Sequence, residues 1–196
     1  MRVPPVFILI FTAGLVVVPA AWAETYAIDP DHSSVSFKIR HLFSNVQGTF
    51  DQFEGTVDYT PEKPELWKTS ATIQAASINT HVKERDHHLS SKDFFEVEKY
   101  PTLTFQSTGV TEAAPAGGKL NGLLTIHGVQ KPVTLDLAIH GAGKDPWGNV
   151  RAGFTATTKI NRKDFGLNWN EALETGGVLV GDEVDVTLEI EGIVKQ

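Results

Sequence analysis

The segment Val133-Thr-Leu-Asp-Leu-Ala-Ile-His140 places Val133, Leu135, Leu137 and Ile139 at every second position. A period of two is the signature of a β-strand with one buried face. The same period recurs along the chain. Residues 34–43 carry Val35, Phe37 and Ile39 on one face, and residues 46–59 carry Val46, Phe50, Phe53, Val57 and Tyr59. Residues 69–78, 101–110, 120–127, 151–160 and 184–190 complete a set of eight strands. Turns are expected at 61–64, 115–118, 128–132, 141–148 and 176–181, and their hairpin spacing implies antiparallel pairing. Gly48 and Gly55 are expected to bend the second strand. One stretch breaks the pattern: residues 83–95 (KERDHHLSSKDFF) do not alternate and predict a short helical insertion. The chain is all-β and forms one domain.

Two architectures satisfy alternation on every strand, a sandwich and a closed barrel with an apolar interior. Eight strands closing on themselves leave an interior that side chains fill or that holds one small ligand. Large inward candidates (Phe37, Phe50, Phe105, Phe154) are interspersed with small ones (Ala71, Ala75, Ala152, Ala156). That mixture suits a long narrow cavity and equally the interdigitation of a solid core.

The 196 residues hold 17 Lys+Arg against 24 Asp+Glu, a net charge of −7, and no cysteine. Residues 1–23 have the anatomy of a cleaved signal peptide, with basic Arg2, an apolar run over 6–18 and Ala21-Trp-Ala23 as the cleavage site. That run falls short of the roughly 20 residues a membrane-spanning helix needs. The expected domain is residues 24–196, exported to the periplasm. An acidic chain without clustered Lys/Arg is a poor fit to nucleic acid. Without cysteine there is no disulfide, thiol nucleophile or thiolate metal site.

Several motifs occur together and in order: Tyr26-Ala-Ile-Asp-Pro-Asp-His-Ser33, Gly48-Thr-Phe-Asp-Gln-Phe-Glu-Gly55, Arg85-Asp-His-His-Leu89, Thr125-Ile-His-Gly128, Asn161-Arg-Lys-Asp-Phe-Gly166 and Val180-Gly-Asp-Glu-Val184. This set resembles the YceI-like family of periplasmic polyisoprenoid-binding proteins. The resemblance implies a lipocalin-like eight-stranded antiparallel β-barrel with a long apolar pocket. It also implies a long-chain isoprenoid or quinone-type ligand, and a possible homodimer. On that reading Phe37, Ile39, Phe50, Phe105, Leu135, Leu137, Phe154, Trp169 and Leu188 line the pocket. His41, Arg85 and Arg162 stand at its polar end.

The polar residues carry bland readings as well. Arg85-Asp86 and Arg162 with Asp164 suit ion pairs that seat loops on the barrel rim, or guanidinium forks for a head group. His32 and Ser33 are expected to brace the barrel end. His81, His87 and His88 are spaced six and one apart, unlike a helical metal pair, and are expected to be solvated. No metal site, cofactor or catalytic constellation is expected. The reading is therefore a non-catalytic lipid binder. Its rivals are a surface interaction module with a solid core, and carbohydrate binding through exposed Trp67 and Trp147.

Overall fold

The computed structural model describes residues 24–61, 63–173 and 177–194; the expected signal peptide, residues 1–23, lies outside them. The strands are β1 (Glu24–Ile28), β2 (Ser34–His41), β3 (Ser44–Phe50), β4 (Phe53–Tyr59), β5 (Lys68–Gln74), β6 (Ile78–Asn79), β7 (Thr102–Ala114), β8 (Gly117–Ile126), β9 (Val129–Lys144), β10 (Val150–Asn161) and β11 (Val180–Val194). Three successive pairs are long strands interrupted once: β1 and β2 by a 3-10 turn at Pro30–His32, β3 and β4 at Asp51-Gln52, β5 and β6 by a 3-10 turn at Ala75–Ser77. Counted that way, eight antiparallel strands run up and down, each beside its neighbours in sequence. The last closes on the first. Val180 to Glu189 of β11 pairs with β2, and Gly192 to Val194 pairs with β1. The sheet is a closed barrel, not a sandwich, and closure removes the exposed edges of an open sheet.

The kink between β1 and β2 is held by polar groups. Ser33 Oγ accepts from the Glu191 amide at 2.9 Å and donates to the Glu191 carbonyl at 3.3 Å. His32 Nδ1 sits 2.9 Å from Asp29 Oδ2. Beside them Arg151 donates through Nη1 to Asp29 (2.7 Å) and Glu191 (2.6 Å), and through Nε to Asp145 (2.9 Å). One guanidinium thus ties the kink, β11 and the β9–β10 turn together.

The end of the barrel near this network is plugged by rings. Tyr59 packs against Tyr26, Trp67 and Phe154 at centroid distances of 6.4, 5.4 and 5.3 Å. Trp67, expected at the surface, is 5% exposed, with its indole N–H donated to the Thr60 carbonyl. Burial, and then the Glu24 carboxylate that accepts from its hydroxyl, pushes Tyr26 up to about 12. Trp147 lies in the β9–β10 turn and is 83% exposed.

Two further expectations change. Gly48 and Gly55 do not bend the strand, which kinks between them; both stay in regular register, opposite Phe37 and Ala71. A Cβ on Gly48 would fall 2.5 Å from the Phe37 ring, and one on Gly55 would fall 2.3 Å from the Ser70 carbonyl. These glycines make room for close approach. The turn expected at 128–132 is shorter, with only His127 (φ 51°) and Gly128 (φ 73°) between β8 and β9, as a two-residue hairpin requires. Pro132 lies inside β9 opposite Leu123, on the stretch β10 does not reach, where no ladder donor is needed on the open side.

Two predictions follow from these contacts. Gly55→Ala sets a methyl against backbone and should destabilise by about 1–3 kcal/mol. Gly143→Ala, with nothing within 4 Å, should stay within about 0.5 kcal/mol; denaturant unfolding of both compares them. Asp29 is held below its ordinary range by the Arg151 hydrogen bond, and Asp145 by Asn149 and then Arg151. Depressed carboxylates contribute stability that is full above their unfolded value, near 4, and is lost as pH falls through the folded value. Arg151→Met should therefore flatten the loss of thermal midpoint on acidification below about pH 4; an unchanged acid limb would contradict the assignment.

Candidate ligand-binding cavity

Alternation sends every second side chain inward, and the inward set does not fill the barrel. A cavity of about 360 Å³ lies between the aromatic floor and the opposite end. Pockets that take drug-sized ligands run from roughly 300 to 1,000 Å³. The core is therefore not solid, as one reading of the sequence allowed.

Its wall is built strand by strand. Phe37 and Ile39 of β2, Phe50 of β3 and Phe105 of β7 line it. So do Leu135 and Leu137 of β9, Phe154 of β10 and Leu188 of β11. The Phe37 ring packs against Phe50 at 5.8 Å, and Phe50 meets Phe95 edge-on at 5.7 Å. Small residues keep the space open. Ala156, also on the wall, stands between Leu137 and Leu188 across its two ladders.

Arg85, His88 and Arg162 line the cavity at the end away from the floor. There β6 gives way to the helix α1 (Lys83–Ser90), and a 3-10 turn at Arg162–Phe165 follows β10. Phe165 and Leu167 are buried against this end of the core. His88 packs edge-on against Phe94 (5.1 Å) and Trp169 (4.9 Å), while its Nε2 lies 3.1 Å from Asp93. His88 was expected in solvent. It is half-buried on the cavity wall, because the 91–95 turn folds Phe94 back over the helix.

His41, Arg85, Arg162 and Trp169 also line the cavity. The two arginines differ sharply. Arg162 is 3% exposed and donates to the carbonyls of Gly181 (2.8 Å), Leu167 (2.5 Å) and Trp169 (2.8 Å), with Asp182 at 3.5 Å. Its donors tie residues 167, 169 and 181 to the barrel, and burial lowers its pKa. Its acidic partner is Asp182, not the expected Asp164. Arg85 donates through Nε and Nη2 to Thr80, at 2.7 and 2.8 Å. Asp86 does not pair with it; Asp86 accepts from the Thr80 amide and hydroxyl instead. Among the described residues no carboxylate lies within 4 Å of the Arg85 guanidinium. Thr80 is the organising residue that the sequence reading missed. Its signals were its place just before the helical insertion and at the end of Ser77-Ile-Asn-Thr80, a motif that takes part in the family resemblance but assigned it no role.

Among the described residues one group has metal-like spacing. Asp29, His32 and Glu191 offer ligand atoms within 4.8 Å of one another. Arg151 already supplies the counter-charge to both carboxylates.

A closed up-and-down barrel around an apolar cavity, open towards a polar end, defines a class of small-molecule-binding barrels. A family model described as YceI-like domain matches residues 26–192. The chain belongs to the YceI-like family. A UPF0312 protein of Pseudomonas savastanoi pv. phaseolicola is 40% identical over 179 residues, covering 90% of each chain. Among solved structures, Burkholderia cenocepacia BcnA superposes with a TM-score of 0.74 at 26% identity, over 84% of this chain and 98% of that one. A polyisoprenoid binding domain from Saccharophagus degradans gives 0.65 at 19% identity, over 89% and 100%, a likeness of fold.

Replacing Arg162 by Met should leave three carbonyls without donors and cost about 3 kcal/mol or more. Hydrogen exchange of the amides in 166–173 and 177–181 should then accelerate, while the β8–β9 hairpin stays protected.

Proposed function

We propose that this chain is a non-catalytic binder of an isoprenoid lipid or quinone-like amphiphile, whose apolar tail lies in the barrel. The observation that carries the reading is the cavity itself: about 360 Å³, walled by Phe, Leu, Ile and Val from nearly every strand, with Arg85, His88 and Arg162 on its lining at the end away from the aromatic floor. Burying apolar surface is worth roughly 25 cal/mol per Å², so a tail gains its affinity from contact alone. Polar groups at the mouth then fix orientation. Arg85, whose hydrogen bonds among the described residues go to Thr80, is the head-group donor we assign there, with His41 also on the cavity lining; Arg162 serves to hold the mouth in shape. The family membership and the fold shared with a polyisoprenoid binding domain support this reading.

Residues 1–23 would direct the chain to the periplasm, where such a protein carries or stores lipid in the aqueous phase. No helix among the described residues is long and apolar enough to cross a membrane. The carbohydrate alternative loses its basis, since Trp67 is buried and Trp147 stands alone at the opposite end.

Native mass spectrometry of the gently purified chain should show a co-purifying lipid, and the stripped chain should take up a fluorescent isoprenoid. Ala156→Trp fills the cavity and should reduce that uptake at least tenfold without lowering the thermal midpoint. A chain that neither carries nor takes up an isoprenoid would rule the proposal out.

A further inference from the structure

We infer that the mouth of the barrel docks on a phospholipid surface through an apolar rim tipped by Phe43. This rests on the lipid-binding reading above, since a cargo that partitions into bilayers has to be collected from one. Four large apolar side chains are notably exposed among the described residues: Phe43 (101%), Trp147 (83%), Val82 (41%) and Val178 (38%). Trp147 belongs to the plugged end. The other three belong to the end where the cavity meets its polar lining.

Their connection to the cavity is direct in the chain. Phe43 is the tip of the β2–β3 hairpin, two residues beyond His41 on the cavity wall. The preceding Leu42 takes a left-handed φ of 49°, and its amide donates to the Leu179 carbonyl at 2.9 Å. That bond fastens the hairpin tip to the segment bearing Val178. Leu179 itself lines the cavity. Val82 precedes α1, three residues before Arg85. Apolar surface therefore runs from the cavity wall out onto the rim.

The size of the patch favours a bilayer over a protein. Arg40 and Lys83 are exposed at this end, and neither has a carboxylate within 4 Å among the described residues. In a chain of net charge −7 these are uncompensated cations, suited to lipid phosphates. Exposed Glu84, Asp93, Asp164, Glu171 and Glu183 lie at the same end, so apolar insertion, not charge, has to supply the attachment. A stable contact between two copies needs roughly 1,200 Å² or more of buried surface. Three separated side chains fall well short of that, whereas a bilayer interface accepts isolated apolar prongs.

The test uses the chain released by osmotic shock from an expressing Gram-negative bacterium, with vesicles of phosphatidylethanolamine and phosphatidylglycerol. Vesicle co-sedimentation and transfer of a fluorescent isoprenoid from the vesicles should both fall about tenfold in Phe43→Ala. They should fall further in Phe43→Asp and stay unchanged in Trp147→Ala. Uptake of the same isoprenoid dispersed in detergent should be equal in all four proteins. Equal vesicle binding by wild type and Phe43→Ala, or none by wild type, would overturn the docking surface while detergent-phase uptake leaves the cavity reading intact. Failure of detergent-phase uptake by wild type would instead remove the reading beneath it. A Phe43→Ala chain that changes only from dimer to monomer in sedimentation velocity would assign the rim to a second copy, and the inference would fall.

Discussion

The structure depends on the seam where β11 meets the first strand. Its early part pairs with β2 and its last residues with β1, so one strand bridges a kink in its partner. Backbone hydrogen bonds alone would not fix that angle. Ser33 meets both the amide and the carbonyl of Glu191 at the kink, and Arg151 draws Asp29, Asp145 and Glu191 onto one guanidinium. With the seam shut, eight strands enclose a space; left open, the same strands would expose two edges to foreign pairing.

Closure leads to the cavity. A barrel of this size has an interior that side chains nearly fill, so the outcome turns on a few residues. Ala156 between Leu137 and Leu188, and Phe37 lying across Gly48, leave the middle unfilled. The floor is shut by Tyr59 and the three rings around it. The space therefore has one polar end, assembled from α1 and the 161–181 segment. Thr80 holds the start of α1 through Arg85 and Asp86, and Arg162 ties Trp169 and Gly181 to the end of β10.

Much of this was legible in the residues. Strict alternation over 133–140 and its repeats gave eight strands; the interruptions at 51–52 and 75–77 fall inside predicted strands, whereas β1 (Glu24–Ile28), before the kink at 30–32, extends the first strand beyond its predicted start at residue 34. Inward positions such as Leu135 and Phe154 followed from the same period. Other features left no such trace. Trp67 sits among polar residues in sequence, yet the Tyr59 and Phe154 rings bury it. His88 follows another histidine in a polar run, and Phe94 and Trp169, folded back onto it, cover about half of it. Gly48 and Gly55 looked like bends because a glycine in a strand has two meanings, and only the neighbouring strand distinguishes them.

By itself the sequence determined what depends on neighbours along the chain: the period of two, the number of strands, the face each side chain takes and the irregular insertion at 83–95. The tertiary structure decided what depends on groups meeting across the barrel. It chose closure over a sandwich, a cavity over a solid core, and a bracing role for Arg162 while Arg85 kept donors in reserve. The physical reason is that alternation fixes which way a side chain points. Whether opposing side chains meet, and which carbonyl or carboxylate a guanidinium finds, depends on the separation of strands that sequence spacing does not encode.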